Sequence, residues 1–119
     1  AGVRAAGATV SVAIGGPVQA LPIGVELAAY RVIQEGLTNA VKHAPGAPIE
    51  VSVNPAADDL AIRITNAAAV GRVSPLSSGP GTGLIGLHER VALLGGTLVA
   101  EHRPLGGYRL EAHFPVSAP

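Results

Sequence analysis

Hydrophobic residues recur with two different periods along this 119-residue chain, and the change of period predicts an α+β fold. Helical spacing runs from Pro22, a first-turn residue, to a stop before Pro45, and again over residues 83–94, which end at Gly95-Gly96. Alternation with period two, typical of strands, runs through residues 8–14, 49–53, 60–65, 97–101 and 108–114. We therefore expect a mostly antiparallel sheet, containing two hairpins and covered on one face by helices.

The long first helix sorts polar and apolar side chains onto opposite faces. At about 100° per residue, a third of its circumference collects an acid, an amide, a cation and an imidazole: Glu35, Asn39, Lys42 and His43. We expect the opposite face to be the buried one, and it carries Leu27, Tyr30, Ile33, Leu37 and Val41.

The four polar residues suit a metal-bound polyphosphate. Asn39 offers a neutral oxygen to Mg²⁺, Glu35 can hold or polarise a water, and Lys42 can meet phosphate oxygens. The alternative is a solvated polar face whose side chains pair at i,i+4 spacing.

A stretch rich in Ala, Gly, Ser and Pro separates residues 65 and 83. Loops of this length are uncommon in compact domains, and they are usually functional or disordered. The glycines around Gly81, Thr82 and Gly83 would let backbone N–H groups approach phosphates, and the following helix would aim its N-terminal dipole at them. The alternative is a flexible surface loop.

Three segments carry a resemblance to one family. The helix "YRVIQEGLTNAVKHA" resembles the N-box of the gyrase and histidine-kinase (GHKL) ATPases, and it looks in particular like sensor histidine kinases of the nitrate-sensor and desaturase-sensor type. The segment "GPGTGLIGLHERVALLGGTL" is similar to their second glycine box, and "GGYRLEAHFP" resembles their last strand. The resemblance runs from about residue 8 to 115, in matching order and spacing.

This resemblance implies a two-layer α/β sandwich of the GHKL type over residues 1–119, with an ATP lid at about residues 66–82. It implies a catalytic domain that binds ATP and Mg²⁺ and gives the γ-phosphoryl group to a histidine on a separate dimerisation helix pair. A response regulator would then receive it. Because that helix pair is absent from this sequence, we expect no autophosphorylation by the domain alone.

The resemblance also implies roles for individual residues. Glu35 would position water or accept the proton of the acceptor histidine, and Asn39 would ligate Mg²⁺. Lys42 would touch phosphate, and His43 would lie by the adenine or ribose. The remaining nucleotide contacts would come from Asn66, Gly81, Thr82, Gly83 and Leu84.

The first glycine box departs from the family pattern. Asn66 stands where the family has an adenine-binding Asp, and Ala68 and Val70 replace its glycines. An amide oxygen can still accept from adenine, but it lacks charge, so affinity could fall by about 1–2 kcal/mol. A degenerate domain that acts only as an interaction module therefore stays open. An anti-sigma-factor serine kinase is a further alternative, although the second glycine box fits sensor kinases better.

The composition of the chain gives evidence about which classes of partner it binds. Eight basic and eight acidic residues balance to a net charge of zero, which gives no electrostatic case for nucleic acid or direct membrane contact. The chain has no cysteine and no apolar run near the ~20 residues of a spanning helix. We expect a cytoplasmic domain, either free or as the cytoplasmic part of a membrane-bound sensor.

Overall fold

The computed structural model describes residues 10–16, 21–44, 46–66, 82–102 and 107–116, and these ranges contain two helices and five strands. The helices are α1 (Ile23–His43) and α2 (Thr82–Leu93). The strands are β1 (Val10–Ile14), β2 (Ile49–Pro55), β3 (Asp59–Asn66), β4 (Thr97–His102) and β5 (Tyr108–Pro115). Each predicted segment is present in the predicted type, and its described ends lie within two residues of the predicted ones. The predicted start of the first strand at residue 8 lies outside the described residues. Neither of these helices has the length and hydropathy needed to cross a bilayer.

The five strands form one sheet in the order β1-β2-β3-β5-β4. β1 and β2 are parallel, as the crossover through α1 requires, and the other neighbours are antiparallel. The predicted hairpins β2–β3 and β4–β5 are confirmed. α1 packs on β3 and β5, while α2 packs on α1 and β4. The expected α+β sandwich with helices on one face of a mixed sheet is therefore correct.

The core lies between the two helices and one face of the sheet. Alternate strand residues point into it, as the pleat of a strand requires. The largest fully buried side chains are Phe114, Ile49, Leu60, Ile62, Ile64, Leu110, Val32 and Val91. Six of these eight belong to strands, because α1 faces the sheet mostly with small residues.

The buried face of α1 matches the one that the apolar spacing predicted only in part. Ile33, Leu37 and Val41 are partly buried and pack against the core, as predicted. Leu27 and Tyr30 are 54% and 64% exposed, whereas the side chains that face the sheet are Val25, Ala28, Ala29, Val32 and Ala40. A methyl group added to Gly36 would lie 3.0 Å from the Ile64 side chain, so α1 approaches β3 closely at this point. Small residues permit that approach, and large ones would hold the helix away from the sheet.

The end of α2 confirms the predicted role of Gly95 and Gly96. The Gly96 N–H donates to the Val91 carbonyl at 2.9 Å, and the Gly95 N–H donates to the Ala92 carbonyl at 2.9 Å. Gly95 has a φ of 79°, a left-handed conformation that glycine adopts without a Cβ penalty. This pair of bonds is the Schellman motif, and it turns the chain directly into β4.

The sheet face opposite the helices carries a ladder of charged side chains. Arg63 Nε donates to Glu111 Oε1 at 3.3 Å, and Arg109 pairs with Glu101. His113 bridges two carboxylates, with Nε2 at 3.0 Å from Glu111 and Nδ1 at 3.5 Å from Asp59. These cross-strand pairs connect β3, β5 and β4 on the face opposite α1 and α2.

We expect the ladder to make the free energy of unfolding depend on pH. The hydrogen bond to Glu111 raises the pKa of His113 above its ordinary value of 6.5, against the opposing effect of burial. Because the pKa is higher in the folded state, this contribution is fully present below about pH 6.5 and is lost as pH rises through the folded pKa. Burial raises the pKa of Glu111, but hydrogen bonds from His113 and Arg63 outweigh it and leave that pKa below 4.5. The Glu111 contribution is therefore lost only as pH falls below about 4.5.

Urea unfolding of the wild type and His113→Gln at about pH 5.5 and 8.5 tests this. The stability advantage of the wild type should shrink at the higher pH by no more than about 1 kcal/mol, because the His113 and Asp59 side chains are 44% and 41% exposed and solvent screens their interaction. His88→Gln, which changes an exposed histidine on α2, is the control. An advantage of His113 that is equal at both pH values would contradict the assignment.

Candidate functional site

The side chains on the predicted polar face of α1 differ in how exposed they are. Asn39 is 6% exposed, Glu35 is half-buried and Lys42 is exposed. Glu35 and Asn39 are four residues apart, or about 6 Å along the axis, so their side chains lie one above the other. His43 is the last residue of α1, and its side chain lies outside the described part of the structure. The structure therefore brings together the acid and the amide that the sequence placed on one face.

Asn39 is a buried polar side chain whose hydrogen-bonding capacity is not used up. Its Nδ2 is buried, and no described residue accepts a hydrogen bond from it. Leaving a buried donor unpaired costs about 1–3 kcal/mol, so such a group in a native structure calls for a reason. A ligand that meets the amide from outside the described protein would supply that reason.

A Mg-bound polyphosphate fits both ends of this amide, because a phosphate oxygen can accept from the Nδ2–H and Mg²⁺ can bind the amide oxygen. Among the described residues there is no group of three or more His, Cys, Asp or Glu side chains that could hold a metal ion. Mg²⁺ does not need such a group, because it usually keeps several waters and takes one or two protein ligands together with phosphate oxygens. The Asn39 amide oxygen can be such a ligand.

Asn66, the last residue of β3, lies near the same end of the α1–β3 contact. It is 3% exposed and follows Ile64, the residue against which Gly36 packs, by two positions on the same strand face. β1 and β2 are parallel with α1 crossing between them, and β3 reverses direction again, so α1 and β3 run in roughly the same sense. Asn39 and Asn66 therefore both lie beyond the Gly36–Ile64 contact in the same direction.

Tyr108 is a residue of this region that sequence reasoning missed. As the first residue of β5 it is paired with Asn66 in the antiparallel register, and its ring meets the His102 ring edge-on at 5.3 Å. Burial raises the pKa of Tyr108, and the negative charge of Glu35 raises it further. The phenol therefore lies within electrostatic reach of Glu35. No local pattern in the sequence indicates this position, because it depends on the register of β5 against β3.

The second glycine segment is only partly described. Thr82 and Gly83 are the first two residues of α2, so the helix begins one residue before the predicted start at Gly83, and Thr82 belongs to the helix rather than to the lid. The Thr82 side chain and the whole of Gly81 lie outside the described structure. Leu84 packs its side chain against the core. Any nucleotide contact by Leu84 would thus come from its backbone N–H, one of the first-turn N–H groups without an intrahelical partner. The predicted lid at about residues 66–82 falls almost wholly outside the described ranges.

A groove of about 470 Å³ runs between α1 and α2 beside Glu35. Its walls are mainly polar and carry two arginines. It is lined by Arg31, Gln34, Glu35, Thr38, Gly86, Leu87 and Arg90. One side of Glu35 thus faces an open groove between the helices, and the buried Asn39 lies one turn further along α1.

The fold is that of a known ATPase family. The chain belongs to the histidine kinase-, DNA gyrase B-, and HSP90-like ATPases, whose family model matches residues 24–118. This match confirms the resemblance that the N-box helix, the second glycine segment and the last strand carry.

A curated relative is the oxygen sensor histidine kinase NreB of Staphylococcus carnosus. It is 32% identical over 74 residues, which are 62% of this chain and 21% of that protein. The chain therefore spans about a fifth of the length of this relative.

Solved structures with the same fold are also parts of histidine kinases. The catalytic domain of histidine kinase ThkA, in a nucleotide-free form, matches with a TM-score of 0.68 at 14% identity and covers 99% of this chain and 86% of that chain. The mycobacterial sensor histidine kinase MprB matches with a TM-score of 0.66 at 18% identity and covers 98% and 87%. At such low identities these likenesses establish the fold alone.

Proposed function

We propose that this chain is the catalytic, ATP-binding domain of a two-component sensor histidine kinase, occupying residues 1–119 with its lid at about 66–82. The observation that carries the proposal is the buried Asn39 amide, whose Nδ2 has no acceptor among the described residues, one turn from Glu35. Membership of the ATPase family supports ATP as the ligand. The histidine kinase among its relatives supports histidine, rather than serine, as the phosphoryl acceptor.

Several groups would hold Mg-ATP. Asn39 would ligate Mg²⁺, and the ion would supply charge neutralisation on the phosphates. Lys42, exposed one turn further on, contacts phosphate oxygens, and His43 lies by the adenine or ribose. Asn66 accepts a hydrogen bond from the adenine amino group. Backbone contacts to the phosphates come from Gly81, Thr82, Gly83 and Leu84.

Glu35 is the residue that we assign to proton transfer. The imidazole nitrogen of the acceptor histidine forms a bond to the γ-phosphorus, the bond from phosphorus to the bridging oxygen breaks, and ADP leaves. The imidazole gains positive charge as this N–P bond forms, so its other N–H becomes acidic. The Glu35 carboxylate accepts that proton, directly or through a water. Its charge repels phosphate in the ground state, so Glu35 contributes to transfer more than to binding.

The acceptor histidine would come from a dimerisation helix pair, and a response regulator would take the phosphoryl group from it. Such a domain works in the cytoplasm, either free or as part of a membrane-bound sensor. The isolated chain binds nucleotide but does not complete autophosphorylation.

The experiment for this proposal compares the domain alone with a longer chain in which the dimerisation helices precede it. Incubated with γ-labelled ATP and Mg²⁺, only the longer chain should acquire an acid-labile, base-stable phosphoryl group, as phosphohistidine does. Label that is acid-stable in either protein would indicate a serine kinase. No label in the longer chain, despite measurable Mg-ATP binding, would contradict the kinase assignment.

Asn66 provides a directional test of the adenine contact. Asn66→Asp should tighten ATP by about 1 kcal/mol, or about fivefold, because a carboxylate makes a charge-assisted bond with the amino group. GTP should not gain, since the six-position of guanine carries an oxygen acceptor. Competition binding with both nucleotides measures the difference, and Asn54→Asp, an exposed site on β2, controls for the added charge. Equal changes for ATP and GTP would remove Asn66 from the adenine contact.

A further inference from the structure

The groove between α1 and α2 contains two arginines that the phosphoryl-transfer steps above leave unused. Arg31 lies on α1, one turn before Glu35, and Arg90 lies in the last turn of α2. Both side chains are exposed, and both line the same space of about 470 Å³. Two helices separated by the whole β2–β3 hairpin thus bring two guanidinium groups to one groove.

These two arginines differ from the other arginines that the structure describes. Arg63 and Arg109 pair with Glu111 and Glu101 on the far face of the sheet. Arg31 and Arg90 make no ion pair with any residue in the described ranges. A guanidinium presents five N–H donors in a planar fork that matches a carboxylate or a phosphate. The two guanidinium groups in the groove are therefore available to bind an anion.

The position of Arg31 along α1 indicates which kind of anion the groove would bind. Arg31 precedes Asn39 by eight residues, or about 12 Å of helix, and Glu35 lies midway between them. If Asn39 holds the metal and its phosphates, the arginine end of the groove lies on the other side of Glu35. That is the side from which a phosphoryl acceptor must come, because Glu35 has to meet its proton. The geometry thus favours carboxylates of the acceptor protein over phosphates of the nucleotide.

We propose that Arg31 and Arg90 form a docking site for an acidic patch on the helix pair that carries the acceptor histidine. This inference rests on the proposed function and adds the chemistry of the partner surface. Carboxylates bound by the two forks would bring the acceptor imidazole to Glu35, and Gln34 and Thr38 offer further hydrogen bonds along the same wall. The arginines act as positioning residues, and Glu35 remains the residue that accepts the proton.

The test uses the longer chain with its dimerisation helices and compares Arg31→Gln/Arg90→Gln with Arg63→Gln. The double variant should lower the autophosphorylation rate about tenfold or more and leave the Mg-ATP dissociation constant within about twofold. Arg63→Gln removes a guanidinium from the opposite face of the sheet and should leave the rate nearly unchanged. Arg31→Lys/Arg90→Lys, which keeps both charges, should recover part of the rate.

Ionic strength gives a second readout that a purely structural role would not produce. Raising salt from about 50 to 300 mM should slow the wild type more than the double variant, because screening weakens only the charged docking. Weaker Mg-ATP binding in the double variant would assign the arginines to the nucleotide and overturn the docking site. An unchanged rate in the double variant would also overturn it, while leaving the kinase proposal intact. A wild type that binds no Mg-ATP would instead remove the proposed function itself.

Discussion

Glu35→Gln should lower the rate of phosphoryl transfer by about 10²–10⁴-fold, the usual contribution of a positioned general base. Glutamine keeps the size and half-buried position of the side chain but cannot accept the proton of the acceptor imidazole. Mg-ATP affinity should stay the same or increase slightly, since a negative charge near the phosphates is removed. The measurement is autophosphorylation of the longer chain at saturating Mg-ATP, with Glu35→Ala as a second variant.

A matched control separates this effect from a general loss of charge. Glu50→Gln removes a carboxylate from the exposed face of β2, far from α1, and should autophosphorylate at the wild-type rate. If Glu35→Gln and Glu35→Ala both transfer at that rate too, Glu35 is not the base. The electrostatic effect of Glu35 on Tyr108 adds a further check, because the pKa of Tyr108 should fall when the charge is removed.

Asn39→Ala should weaken Mg-ATP binding at least tenfold, because it deletes the residue that we propose as the protein ligand of the metal. Folding stability should change little, since the Asn39 Nδ2 has no hydrogen-bond acceptor within the described residues to lose. Asn39→Asp should also weaken binding, because it adds a buried charge near the phosphates. Calorimetric titration gives the affinity, and urea unfolding gives the stability.

Asn54→Ala removes an exposed amide from β2 and should not affect affinity. Wild-type affinity in both Asn39 variants would remove this residue from the site. An unfolded Asn39→Ala would show instead that the amide has a structural role.

The elements of the fold could be predicted from local patterns, but not which side of α1 is buried or how closely the helix packs on the sheet. Period-two and helical spacing predicted the type of the seven described elements. In six of them one face is covered and the other is not, whereas β1 is largely exposed on both faces. The same reasoning put Leu27 and Tyr30 in the core, and both are exposed. Close contact with Ile64 at Gly36 favours small residues on the buried face, and hydrophobic size alone does not reveal that.

The candidate site could also be predicted from the sequence only in part. Glu35 and Asn39 could be placed together because they share one helix, and helical geometry sets their spacing. Tyr108 could not be placed, because its position depends on the register of β5 against β3. Arg31 and Arg90 line the same groove only because two helices that are distant in sequence pack together. Long-range packing of this kind leaves no periodic signal in a single chain.

Titration of Mg-ATP into the purified chain by calorimetry tests whether the site around Asn39 and Glu35 binds a nucleotide. We expect saturable binding of one nucleotide per chain that disappears when EDTA removes Mg²⁺ and is weaker for Mg-GTP. Circular dichroism would establish that the chain is folded under the same conditions. A folded chain that shows no binding heat at millimolar Mg-ATP would contradict the account, and it would leave a domain that keeps the ATPase fold and acts through protein contacts alone.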